Sequence, residues 1–130
     1  MAAVRRADTA LELRTRSALH RLGLRFRKDY PIRVGGRLVR PDIAFTRLRI
    51  AVFVDGCFWH MCPEHRTMPA TNADFWRNKL ETNAARDRLQ TQLLIDAGWL
   101  VIRIWEHETT NEAVAVIQHA VVRRHRTKVI

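Results

Sequence analysis

Long apolar runs, cysteine and acidic residues are all scarce in this sequence. These scarcities argue against a membrane protein and a disulfide-stabilised protein, and they leave an excess of positive charge. Apolar stretches such as residues 50–54 are far shorter than the roughly 20 residues that cross a bilayer, so no membrane partner is expected. The N-terminal residues do not form the apolar run of a signal peptide. The only two cysteines, Cys57 and Cys62, would close too small a loop for a disulfide framework, which favours a reducing cytoplasm.

Acidic residues number 13 against 23 lysines and arginines, which leaves a net charge of +10 on 130 residues. Twenty of the cations are arginine, whose planar guanidinium suits bidentate contact with phosphate. We expect a single domain over residues 1–130, and a charge this large on one small domain indicates a polyanionic partner, most simply nucleic acid. The alternative is a basic surface that reflects a GC-rich genome or a ribosome-adjacent role.

Capping and turn residues predict the element order α-β-β-β-α-β-α. A first helix is expected at residues 9–22, ended by Gly23, and Gly35-Gly36 predicts a hairpin turn. The later predicted elements are strands at 38–45 and 48–54, a long helix from the Thr71–Asp74 capping box to Gly98 and a strand at 99–105. The residues Thr109–Glu112 then begin a last helix that extends to about 124. The expected fold is α/β, a mixed sheet with helices on both faces, with a frayed basic tail at 125–130.

Sulfur and imidazole donors cluster directly after the second apolar strand. Cys57, Cys62 and His65 lie within nine residues, and Cys and His are the ligands that zinc prefers. A structural site usually needs four ligands, and His107, just past the last predicted strand, can supply the fourth if the two strands are neighbours. We therefore predict a closed structural zinc site, with two free cysteines and surface histidines as the alternative.

Two acids stand among apolar residues, where a carboxylate needs a partner. Asp42 lies inside one predicted strand and Asp55 closes the next. Magnesium between such a carboxylate and a phosphodiester would stabilise the developing charge and activate water, with His60 as a general base. Alternatively, Asp42 is a turn residue that pairs with Arg40 or Arg47, and Asp55 forms an Asp-Gly turn.

Two further acids and an aromatic pair complete the candidates. Glu12 is most simply the far end of a capping box, although its position would also let it face a site beside the sheet. Asp87 falls in the inward stripe of the long helix, where a carboxylate should be paired or functional. Phe58 and Trp59 either project as a wedge into a base stack or cover the zinc site.

Six groups of residues occur here in a distinctive order: Asp8-Thr9…Glu12, Arg40-Pro41-Asp42, Asp55-Gly56-Cys57-Phe58-Trp59-His60, Phe75-Trp76…Lys79, Asn83…Arg86-Asp87-Arg88 and Gly98-Trp99…Trp105-Glu106. Together they closely resemble the very short patch repair (Vsr) endonucleases, relatives of type II restriction enzymes. The resemblance implies a restriction-endonuclease-like (PD-(D/E)XK-type) core. It also implies a bacterial, nucleoid-associated DNA repair enzyme that nicks double-stranded DNA 5′ of the T in a T:G mismatch, as a monomer and with mismatch-repair matchmaker proteins as possible partners.

The resemblance also implies roles for individual residues. Asp42 corresponds to the magnesium-binding carboxylate, assisted by the main-chain carbonyl of Val54, and His60 to the residue that activates the attacking water. Glu12 and Asp87 correspond to acids that organise water and support the site. The remaining correspondences are the intercalating wedge, Phe58 and Trp59, and the zinc ligands, which fall on or next to Cys57, Cys62, His65 and His107.

The chain departs from the family pattern in two places. Val54-Asp55 replaces a Thr-His pair, so Asp55 is an alternative metal ligand, and it would face Asp87 as a like charge unless magnesium or a shared proton separates them. Almost nothing precedes Ala7, where family members often carry an N-terminal arm (1–7 here), so weaker or less mismatch-selective binding is expected. Two rival functions stay open: a non-catalytic, zinc-containing DNA-binding module, and a same-fold nuclease with a broader or single-stranded substrate.

Overall fold

The computed structural model of the chain describes residues 10–56 and 71–129, with side chains described as far as residue 125. Three helices and five strands make up this described part. They are α1 Ala10–Arg21, β1 Ile32–Val34, β2 Arg37–Val39, β3 Ile43–Phe45, β4 Ile50–Asp55, α2 Ala73–Asp96, β5 Leu100–Trp105 and α3 Thr110–Val129. The mixed α/β class is as predicted. None of the described helices is both long enough and apolar enough to cross a membrane.

The strands form two sheets rather than one. β1 and β2 pair antiparallel as a hairpin around Gly35-Gly36, whose positive φ angles of 54° and 75° suit glycine, so this predicted turn is confirmed. The single strand predicted at 38–45 is wrong, since β2 and β3 belong to different sheets. Pro41 lies between them and has no N–H to continue a ladder, which accounts for the break.

The central sheet has the order β3-β4-β5, with β4 antiparallel to β3 and parallel to β5. Val54 is in register with Ile104, and Asp55 with Trp105. The main-chain N–H of Glu106 also donates to the carbonyl of Asp55 at 2.9 Å. The carboxyl ends of β4 and β5 therefore lie side by side, as the zinc prediction requires.

Strand β4 is buried on both faces, and its alternating side chains divide the core in two. Ile50 and Val52 pack with α1 and α3 in one apolar cluster. Ala51 and Phe53 point to the other face and pack in a second cluster with Leu94 of α2 and the β1–β2 hairpin. Helices thus cover both faces of the central sheet, as predicted for an apolar central strand.

Helix α1 ends as the sequence predicts, with Gly23 at a φ of 80°. Leu11, Thr15 and Leu19 are buried along its inner face. Leu22 lies inside the helix predicted at 9–22, but it is 49% exposed because it lies past the last helical turn, where the chain unwinds towards Gly23.

The other helix ends are only partly as predicted. The Thr71–Asp74 capping box does not form, because Asn72 occupies the N-cap of α2 in a left-handed conformation with no side-chain cap bond. The box before α3 does form: the Thr109 hydroxyl accepts from the Glu112 N–H at 3.1 Å, and the Thr109 N–H donates to the Glu112 carboxylate at 3.0 Å. The frayed tail is also wrong, since α3 continues to Val129 through residues that include no glycine or proline.

Candidate active site

Three carboxylates from separate parts of the chain converge beside the central sheet. Glu12 of α1, Asp29 of the segment that follows it, and Asp42 just before β3 each offer an oxygen, and these oxygens lie within 4.8 Å of one another. We call these three residues the acid cluster. Carboxylate oxygens are the ligands that hard divalent cations prefer, so the cluster is a candidate metal centre.

Asp42 lies at the bend before β3 and not inside a strand, which corrects its predicted position. Its own N–H donates to the carbonyl of Val52 at 2.9 Å, and its carboxylate accepts the N–H of Val54 at 2.7 Å. Among the described residues, the carboxylate contacts β4 rather than Arg40 or Arg47, so the turn-pairing alternative is not what the structure adopts. The N–H of Val54 fixes one carboxylate oxygen in place, beside the main chain that was predicted to supply the second metal contact.

The surroundings of Asp42 disfavour its ionisation. Burial is the main cause that raises its pKa from 3.8 to about 6; the Val54 N–H and the Arg16 charge oppose the shift, whereas Asp29 and Asp55 add to it. A carboxyl group whose pKa is higher in the folded than in the unfolded chain binds more protons when folded, so its contribution to stability falls as the pH rises from about 4 to 6. A cation bound at the cluster would offset that penalty.

Glu12 is buried on the inner face of α1, with 1% of its surface exposed. Its carboxylate pairs with the guanidinium of Arg16, one helical turn along, and the same Nη2 atom donates to the main-chain carbonyl of Asp42 at 3.0 Å. Arg16 thus fixes Glu12 against Asp42 and compensates part of the negative charge. Thr9 lies outside the described residues, so the capping role of Glu12 stays a prediction; the structure places Glu12 beside the sheet, the position that its sequence context also allowed.

Asp29 joins the cluster from a left-handed backbone conformation, with a φ of 51°. Aspartate tolerates this region better than most residues, at a cost of roughly 1 kcal/mol. Asp29 was not among the residues predicted for the site. The available signal was an isolated acid within the basic run Arg27-Lys28-Asp29, but a single acid beside cations usually forms a surface ion pair.

Asp55 ends β4 as predicted, and it is bound by an arginine that was not predicted to take part. Nη1 of Arg103, on β5, lies 3.0 and 3.2 Å from the two carboxylate oxygens of Asp55, which is 6% exposed. The same guanidinium donates to the Thr91 hydroxyl at 2.8 Å and to the Asp87 carbonyl at 3.4 Å, and it lies 4.2 Å from the ring centre of Phe53.

Arg103 supplies Asp55 with a positive charge that was not predicted from the sequence. Asp55 and Asp87 both lie at the junction of α2 and the sheet, with Asp87 half-buried on the inward stripe as expected, and a guanidinium contacts both residues. Arg103 donates to the main-chain carbonyl of Asp87 and not to its carboxylate in this contact, so the guanidinium acts as a counterion of Asp55 and as a link to α2.

Most of the remaining predicted site residues follow Gly56 in the sequence. Cys57, Phe58, Trp59, His60, Cys62 and His65 lie outside the described residues. His107 is described: it is exposed in the turn between β5 and α3, next to Glu106, which is bonded to Asp55. The structure thus brings Glu12, Asp29 and Asp42 together, places Val54 against Asp42, and sets His107 one residue after Glu106, which is bonded to the end of β4.

Comparison with known proteins bears directly on these residues. A family model described as DNA mismatch endonuclease Vsr matches residues 1–66, which is half of the chain and includes the whole acid cluster. The chain belongs to the DNA mismatch endonuclease Vsr family. The resemblance inferred from the motifs is therefore confirmed, and this Vsr family member is one of a family of endonucleases.

Individual relatives extend the match over most of the chain. The Vsr family member is 52% identical over 118 residues to the type II nicking enzyme V.NaeI of Lentzea aerocolonigenes, an alignment that spans 90% of this chain and 71% of the relative. It is 38% identical over 116 residues to the type II nicking enzyme V.XorIIP of Xanthomonas oryzae pv. oryzae, spanning 85% and 79%. It is 37% identical over 110 residues to the DNA mismatch endonuclease Vsr of Escherichia coli K12, spanning 82% and 66%.

Proposed function

We propose that this Vsr family member is a magnesium-dependent endonuclease that nicks double-stranded DNA on the 5′ side of the T in a T:G mismatch. The observation that carries the proposal is the acid cluster, three carboxylate oxygens within 4.8 Å of one another, inside the segment that matches the family model. The net charge of +10 supports a DNA substrate. We further propose a restriction-endonuclease-like core and a monomer, because cutting one strand needs one active centre.

The cluster fits magnesium in the chemistry of its donors. Asp42 would be the principal ligand, with the Val54 carbonyl as a second contact and with Glu12 and Asp29 within reach of the same ion or its waters. When bound, the ion would neutralise charge on the phosphodiester and lower the pKa of the attacking water. The protein's part is to hold the carboxylates: the Val54 N–H orients Asp42, and Arg16 fixes Glu12.

The remaining roles are assigned to the loop after Gly56. His60 would accept the proton of the attacking water, since the ordinary pKa of histidine lies near neutrality. Phe58 and Trp59 would insert beside the mismatch, as apolar wedges do in proteins that unstack DNA. Asp55 is assigned to support rather than to metal binding, because both of its oxygens already contact Arg103. Matchmaker proteins of mismatch repair are proposed as partners.

The function is tested by incubating the protein and magnesium with four labelled substrates: a T:G duplex, other mismatches, a matched duplex and a single strand. We expect one nick in the T strand of the T:G duplex and none when magnesium is removed by a chelator. Binding without nicking of any substrate would favour the non-catalytic DNA-binding module. Equal cutting of the single strand would favour the broader same-fold nuclease.

A structural zinc bound by Cys57, Cys62, His65 and His107 is the second part of the proposal. The N–H of Glu106 donates to the carbonyl of Asp55, which precedes Cys57 by two residues. His107 is the next residue after Glu106, and this contact supports it as the fourth ligand. His107→Ala is expected to lose most of the bound zinc. We also expect His107→Ala to lose ~2 kcal/mol of stability, which would lower Tm by roughly 6–10 °C.

Zinc content by elemental analysis and thermal melting measure this prediction directly. His119→Ala is the matched control, because His119 is an exposed histidine on α3 that the proposal does not use. Zinc retained at the wild-type level in His107→Ala would exclude His107 as a ligand.

A further inference from the structure

An open cavity of about 930 Å³ lies beside the acid cluster and has no role in the function proposed so far. Its walls come from residues 23–31, from residues 45–48 after β3, and from Val121 and His125 of α3. Four cations line it: Arg25, Arg27, Lys28 and Arg47. We call it the basic cavity.

Contacts with β3 and with neighbouring rings hold the segment that carries three of these cations. The N–H and the carbonyl of Arg27 both bond to Ala44 at 2.8 Å, so this residue is held against β3 of the central sheet. Phe26 is half-buried and packs on His20, with ring centres 4.6 Å apart, and on Phe45. Arg25 and Arg27, on either side of Phe26, are both exposed.

The basic cavity has an excess of positive charge: four cations line it against one carboxylate, Asp29, among the described residues. Arg25, Arg27, Lys28 and Arg47 are all exposed, and among the described residues no carboxylate lies within ion-pair distance of any of them. A concave surface with an excess of cations attracts a polyanion, and arginine forks suit phosphate oxygens. Surface cations that serve solubility alone are more often interspersed with acids.

Asp29 connects the basic cavity to the acid cluster, because it lines the cavity and also contributes an oxygen to the cluster. A strand whose phosphodiester reached the metal centre would therefore have its neighbouring phosphates next to the cations. We propose that the basic cavity binds the phosphate backbone of the cut strand within a few nucleotides of the nick. This inference rests on the proposed function and adds the path of the strand.

The first test measures DNA binding by an Arg25→Ala/Arg27→Ala variant across a salt series, with magnesium omitted so that cleavage plays no part. Removing one phosphate-binding cation should reduce the slope of log K against log salt by about 0.9, so we expect a decrease of about 1 to 2. At low salt the affinity for a T:G duplex should fall about ten- to a hundredfold. Both side chains are exposed, so the variant should melt as the wild type does.

The matched control is Arg33→Ala/Arg37→Ala, which removes the same charge from exposed positions on the β1–β2 hairpin, outside the basic cavity. For this control, the slope of log K against log salt should fall by less than half as much as it does for the Arg25→Ala/Arg27→Ala variant. If the control variant loses as much slope and affinity as the cavity variant, the attraction is diffuse and the cavity is not a binding site.

The second test locates the contact by placing a single neutral methylphosphonate at each position of either strand. Wild-type protein should lose affinity when the neutral linkage is near the nick in the cut strand, and the Arg25→Ala/Arg27→Ala variant should be insensitive at the same positions. Insensitivity confined to the uncut strand, or to positions far from the nick, would overturn the inference. Failure of the proposed function would appear separately, as absence of nicking by the wild-type protein.

Discussion

Asp42→Ala is expected to abolish nicking of a T:G duplex while duplex binding survives. Asp42 is the proposed principal ligand of the metal, and its carboxylate is positioned by the Val54 N–H at 2.7 Å. A metal ion contributes several kcal/mol to charge stabilisation in the transition state, and each ~1.4 kcal/mol changes the rate tenfold. The rate should therefore fall on the order of a thousandfold or more, as measured by single-turnover nicking at saturating magnesium.

Asp42→Asn separates the loss of chemistry from a loss of folding. An amide oxygen can still accept the Val54 N–H, and the carboxyl group has a pKa raised to about 6, so its charged form is disfavoured relative to the unfolded chain. The variant should melt no lower than wild type at pH ~8 without metal, yet it should not nick. Asp96→Asn, an exposed residue bonded to Gln92 at the end of α2, is the control and should nick normally. Normal nicking by Asp42→Asn would exclude Asp42 as the metal-binding carboxylate.

The local elements with strong sequence signals were predicted well. Gly23 ends α1, Gly35-Gly36 turns the hairpin, and Thr109 caps α3, because each depends on a few neighbouring residues whose conformational preferences are strong. The pairing of β4 with β5 was a condition of the zinc prediction rather than a prediction in its own right, and the structure meets that condition. The break at Pro41 was missed because the strand pattern around it continues through the proline.

Much of the candidate site depended on contacts between residues far apart in the sequence. Asp42 was found because an acid among apolar residues is unusual, and the family resemblance gave it a role. Asp29 and Arg103 were missed for the opposite reason: an acid among cations, and an arginine in a strand of a protein with 20 arginines, are both unremarkable locally. Only the tertiary fold puts Asp29 beside Glu12, and Arg103 beside Asp55.

Arg103→Met is expected to destabilise the protein strongly, even though Arg103 belongs to no predicted catalytic group. The substitution would remove the Arg103 guanidinium from the carboxylate of Asp55, whose side chain is 9% exposed. Breaking a buried pair by removing one partner typically costs about 3–5 kcal/mol. The Arg103 side chain is 23% exposed, which places the expected loss near the low end, at about 3 kcal/mol. Thermal and denaturant unfolding measure it.

Arg77→Met provides the matched control, because Arg77 also forms an arginine–aspartate pair, with Asp74 at 2.9 Å, but with the two side chains 51% and 95% exposed. An exposed pair of this kind should contribute less than about 1 kcal/mol. If Arg103→Met melts within the range of Arg77→Met, Arg103 is not the residue that stabilises the junction of α2 with the sheet.

The partner of Arg103 is identified by a double-mutant cycle with Asp55→Asn. If the ion pair dominates, the double variant should lose less stability than the two single variants lose together. The reason is that the neutral amide introduced by Asp55→Asn does not need the Arg103 cation. We expect a coupling free energy of about 1–3 kcal/mol. Arg103→Lys should recover only part of the loss, since an ammonium cannot reach both Asp55 oxygens, Thr91 and the Asp87 carbonyl together. If the two losses of stability are additive, the contacts of Arg103 with Thr91 and the Asp87 carbonyl account for its effect. Arg103 would then stabilise the packing of α2 and would not act as the counterion of Asp55.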